Sequence, residues 1–157
     1  ARQQLTILLT TFPSLKALGV GILVIGVIPA VGEELLFRGL IQPLCHQITR
    51  NIHSAIILSA FAFSTIHLQF YGFVPRLLLG ALFGYIYWWT KDLIFPIVAH
   101  FFNNALTLTL FFLHQQGYIA LDITKSVVLP IILFPLAILL VAVLSHYLKH
   151  FSKKSPL

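Results

Sequence analysis

Residues 17–38 read ALGVGILVIGVIPAVGEELLFR: sixteen residues without a charge, then two glutamates and an arginine within six positions. The apolar part is continuous and lacks the period-2 alternation of a barrel strand, so it reads as a helix. A membrane-crossing helix needs roughly 20 such residues, and this run reaches that length only by taking in Glu33 and Glu34. Ionisable groups inside a spanning helix cost at least ~2.5 kcal/mol each near the bilayer centre, and by default they mark function.

Four similar runs follow, at 54–75, 77–90, 93–115 and 126–148. Together they predict an all-α, polytopic transmembrane helical bundle with about five spanning helices, the third short unless it borrows residues before Arg76. Composition agrees. Only 9% of the 157 residues are charged, 59% are hydrophobic, and mean hydropathy is +0.96. A soluble domain carries about 25% charged residues, so a water-facing surface is excluded. The net charge of +6 does not indicate nucleic acid, because the basic residues are scattered, apart from Lys149, Lys153 and Lys154 beside the last run. Such a tail reads as an anchor near anionic lipid. Cys45 stands alone, which rules out an intrachain disulfide. Residues 1–157 are expected to form one transmembrane domain with a catalytic core at about 17–115. The absent Met and signal-peptide pattern suggest a fragment that lacks upstream helices.

The first helix is expected to run past Glu33 toward Pro43, kinked by Pro29, with residues 43–53 as a surface connection. Pro13 suits its first turn. The second ends near Tyr71 and Gly72. Gly80 and Gly84 give the third a small-residue face for close packing, and Thr90-Lys91-Asp92 is a tight link. Pro130 and Pro135 bend the fifth. If the end of the first helix defines side B, Arg50, Lys91 and the terminal lysines fall on B. Arg2, Lys16, Arg76 and Lys125 fall on side A. The slight excess makes B cytoplasmic. Trp88, Trp89 and Tyr147 also end on B as interfacial anchors, and Arg76 is expected to snorkel to A.

The remaining polar residues cluster. Glu34 and Arg38 are four apart with the acid first, the favourable order for a helical ion pair. Glu33, rotated by about 100°, lacks that partner and is left for chemistry. His100 and Asn104 share a helix face, as do Phe63 and His67. At about 1.5 Å per residue, Glu33 and His100 lie ~12–14 Å from side B and His67 ~20 Å, so they can converge in a cavity opening toward B. A carboxylate there can act as general base toward water, and His and Asn can donate to an oxyanion. Glu33, His67 and His100 could instead ligate zinc, although no His-Glu-x-x-His sequence is present. His46, His53, His114, His146 and His150 read as ordinary surface residues.

Three ordered motifs then carry a resemblance. Glu33-Glu34-Leu35-Leu36-Phe37-Arg38, Phe63-Ser64-Thr65-Ile66-His67 and His100-Phe101-Phe102-Asn103-Asn104 are similar to the Glu-Glu-x-x-x-Arg, Phe-x-x-x-His and His-x-x-x-Asn motifs of the CPBP (CAAX protease and bacteriocin-processing, or Abi) membrane proteins. The resemblance covers roughly residues 31–104. It implies an intramembrane endopeptidase related to the type II CAAX prenyl endopeptidases, multi-pass, without a required cofactor. Carried over, Glu33 activates water, Arg38 orients Glu34, and His67, His100 and Asn104 complete the site. The implied partners are a peptide or lipidated-protein substrate and membrane lipid. The rival reading is a non-catalytic membrane protein that binds a peptide as an immunity or regulatory partner.

Overall fold

A computed structural model describes residues 11–68, 70 and 72–119. Among these the chain is all-helical: α1 (Leu15–Thr49), α2 (Ile52–Ile66), α3 (Phe73–Thr90) and α4 (Ile94–Gln115). The fifth run lies outside the described residues, as do Arg2, Lys125, Tyr147, His146, His150 and the terminal lysines.

Two of the four helices, α1 and α4, are long and apolar enough to cross a membrane. Only 22% and 17% of their most apolar windows are buried inside the protein. A core helix of a soluble protein would bury most of its apolar residues; here Val20, Leu23, Val24, Ile28 and Leu35 of α1 face outward. At 15 residues, α2 spans about 22 Å, short of the ~30 Å hydrocarbon core.

The first helix is longer than expected, because residues 43–49 continue it rather than forming a surface connection. Each proline follows a wide turn. Residues Ile22–Val27 wind as a π-helix just before Pro29, and Phe37–Ile41 do so just before Pro43. A proline removes one backbone donor and needs room for its ring; a π turn loosens the ladder where both demands fall. Pro13 precedes the helix, whose cap is Ser14, accepting from the Ala17 amide at 3.3 Å.

The two side-B links are built alike. Thr49-Arg50-Asn51 joins α1 to α2, and Thr90-Lys91-Asp92 joins α3 to α4. In each, the basic residue takes the left-handed conformation (φ 52° and 57°). Each threonine hydroxyl donates to a carbonyl one turn back, Cys45 or Ile86, at 2.8 Å. The Asn51 or Asp92 side chain then caps the next helix. Toward side A, Phe12, Leu18, Leu108 and Phe112 pack α1 against α4, and the Phe12 amide donates to Gln115 Oε1 at 3.0 Å.

Helices α2 and α3 meet where Gly80 faces Ala60. A methyl group on Gly80 would lie 3.1 Å from Ala60 Cβ and 3.2 Å from its Cα. Gly80→Ala is therefore expected to destabilise the protein by up to about 2 kcal/mol, because overpacking (~1–3 kcal/mol) matches or exceeds the ~1 kcal/mol gained in helix propensity. Gly19→Ala, with nothing within 4 Å, should instead be neutral or stabilising. Unfolding of both variants in detergent micelles checks the contrast, and equal effects would remove the packing argument.

Candidate active site

The acid pair divides as its spacing predicts. Glu34 and Arg38 are fully buried, and Arg38 Nη1 donates to Glu34 Oε1 at 2.9 Å. The other guanidinium nitrogen, Nη2, donates to the Gly80 carbonyl, while the rings of Phe63 and Phe83 lie 5.3 and 5.6 Å from the guanidinium carbon. This arrangement gives a cation in an apolar layer both hydrogen bonds and two π faces.

One turn further, Gln42 repeats the contact, its Nε2 donating to the Gly84 carbonyl at 3.2 Å. The two pairs, 38 with 80 and 42 with 84, show that α1 and α3 run side by side in the same direction. Gln42, only 2% exposed, was missed in the sequence. The readable signal was a pair of donors four apart matched by a pair of glycines four apart.

Glu34 also holds an imidazole. Nδ1 of His100 lies 2.8 Å from Glu34 Oε1, and an ionised carboxylate can only accept, so Nδ1 carries the proton. His67 ends α2 instead of lying within it, and its Nδ1 lies 2.8 Å from the Phe63 carbonyl. That carbonyl is among the last four of α2, which lack helical partners, so the ring satisfies a helix end while being aimed by it. Both rings thus turn Nε2 toward the same place. Glu33 is there: its Oε1 lies 4.0 Å from His67 Nε2 and its Oε2 lies 3.7 Å from His100 Nε2.

Burial grades the set. The Glu33 and His67 side chains are 27% and 29% exposed, against 6% for His100. Phe83 stacks on His100 (5.1 Å, 22°), and Phe63 meets both histidines edge-on. Asn104 makes none of these contacts. It lies half-buried one turn beyond His100, and its Oδ1 accepts from Asn103 Nδ2 at 3.4 Å. Among the described residues it makes no hydrogen bond to Glu33, His67 or His100.

Two ligands at about 2.0–2.1 Å on a tetrahedral ion stand ~3.3 Å apart, closer than either separation here. Among the described residues no three His, Cys, Asp or Glu side chains are arranged to hold a metal ion. A water molecule within hydrogen-bond distance of all three groups suits the wider gap.

A carboxylate here faces two aimed imidazoles, in helices that turn apolar faces outward. The chain belongs to the type II CAAX prenyl endopeptidase Rce1-like family, whose model matches residues 16–106. That span contains all six candidate residues, Asn104 included. The family is membrane-embedded and proteolytic. No curated protein and no solved structure matched the chain.

Proposed function

We propose that the protein is a multi-pass intramembrane endopeptidase that hydrolyses a peptide bond near the C-terminus of a membrane-associated, prenylated CAAX-type peptide. The observation that carries this reading is the convergence of Glu33 Oε1 and Oε2 on the Nε2 atoms of His67 and His100.

Glu33 accepts a proton from the water held among the three groups as the water oxygen bonds to the peptide carbonyl carbon. The same proton then passes to the departing amine as the C–N bond breaks. With both Nδ1 atoms tied, a neutral ring offers only a lone pair at Nε2 and cannot donate to the oxyanion. Donation therefore falls to the ring in its cationic form. His100, between the carboxylates of Glu34 and Glu33, is the better placed for that charge, and His67 receives the water's second hydrogen. Asn104 joins as a further oxyanion donor through its Nδ2, since its contact with Asn103 uses only Oδ1. No cofactor enters this scheme.

Helices α2 and α3 are joined beside His67, where Leu68 and Phe70 are exposed, so the site borders the side-A rim of α2 and α3.

Purified protein should cleave a prenylated peptide, and His67→Ala should lower kcat/KM by about 10²–10³-fold, the usual cost of losing a positioned polar group. Equal cleavage by wild type and variant would sink the catalytic assignment. Binding without cleavage would favour the peptide-sequestering alternative. EDTA should leave the rate unchanged; loss restored by zinc would overturn the metal-free scheme.

A further inference from the structure

One cation near the site takes no part in this chemistry. Arg76 lies on α3 one turn before Gly80. Since Arg38 meets Gly80 and Gln42 meets Gly84, the same offset sets Arg76 level with Glu34 on α1. Its guanidinium turns back over Gly72, where a Cβ would lie 2.0 Å from Nη2. The side chain is half-buried. It turns toward side A, as snorkelling requires.

We propose that Arg76 receives the C-terminal carboxylate of the substrate, so that the enzyme measures its cleavage point from the end of the chain. This inference rests on the endopeptidase reading above. A CAAX peptide has three residues beyond its cysteine, and three extended residues reach at most about 10 Å. A cation that reads the chain end must therefore lie within about that distance of Glu33. The described alternatives fail on geometry. Lys16 and Arg50 each lie 17 positions from Glu33 on the same helix, about 25 Å along its axis. Lys91 sits on the Trp88 ring at the far end of α3, and Arg38 is enclosed by Glu34, Gly80 and two phenylalanines. Arg76 is left, and a guanidinium fork matches a carboxylate with two parallel hydrogen bonds.

Two prenylated peptides, identical except for a C-terminal acid or carboxamide, supply the test. Wild type should prefer the acid by about 10–100-fold in kcat/KM, mostly through KM, the size expected for a charge-assisted hydrogen bond. In Arg76→Gln the acid-to-amide ratio should fall to about one, and Arg76→Lys should keep part of the preference. An unchanged ratio in Arg76→Gln overturns the proposal. Binding of the same peptides to Glu33→Gln, with and without Arg76→Gln, reads the preference without cleavage. If wild type cleaves neither peptide, the endopeptidase reading fails, and the binding ratio still decides the role of Arg76. Absence of an acid preference in binding overturns that role.

Discussion

Glu33→Gln is expected to fold like the wild-type protein and to turn over peptide about 10³–10⁴-fold more slowly, near the upper end of what a positioned general base contributes. The two halves of that expectation have separate causes. Glu33 is partly exposed, and its nearest polar partners stand at 3.7 and 4.0 Å. Neutralising it therefore strands no buried charge, and thermal unfolding should shift little. Chemistry suffers because an amide cannot take the proton from water. The loss should appear in kcat under saturating peptide, with KM nearly constant, since water activation is required only in the transition state. A variant that keeps more than a tenth of the wild-type kcat would exclude Glu33 as the base.

Arg38→Met should show the reverse profile, with stability lost first. The Glu34–Arg38 pair is 0% exposed on both sides, and removing one member of a buried pair typically costs about 3–5 kcal/mol because the other charge stays desolvated. Glu34 would keep His100 and lose its guanidinium. The Gly80 carbonyl would lose the donor that ties α1 to α3. Arg38→Lys should recover little of this, because an ammonium cannot form the fork or lie between two rings in the same way. The double variant Glu34→Gln/Arg38→Met should regain part of the loss by removing both charges. Unfolding in detergent micelles measures all three, and a shift below about 1 kcal/mol for Arg38→Met would show that the pair is dispensable.

Much of the site could be read from the chain because intramembrane polar residues are expensive and helical spacing is strict. Glu34 with Arg38, and the convergence of Glu33, His67 and His100, followed from those two facts. Other features were hidden by rules that hold for isolated helices. Pro43 read as a stop because the π turn that accommodates it has no distinctive residues. His67 was placed inside a helix, since an apolar run does not show where its hydrogen-bond ladder ends. Asn104 has the right spacing, yet its amide turns to Asn103, a choice of rotamer that spacing does not fix. Arg76 resembled an interfacial anchor. Its relation to the site emerges only when the offset between α1 and α3 is known.

That offset has a consequence for how the helices choose their register. Between membrane helices, apolar side chains pack about as well against lipid as against protein, so oily contacts discriminate weakly among sliding positions. The pairs 38 with 80 and 42 with 84 act as a two-toothed key. Slid one turn toward the start of α3, Arg38 would meet Arg76, and two cations would share an apolar layer. Slid one turn the other way, Arg38 would reach Gly84, but Gln42 would face Trp88, where a ring replaces the open carbonyl. One alignment satisfies both teeth, and it is the alignment that carries Glu34 to His100 and leaves Glu33 facing the two histidines.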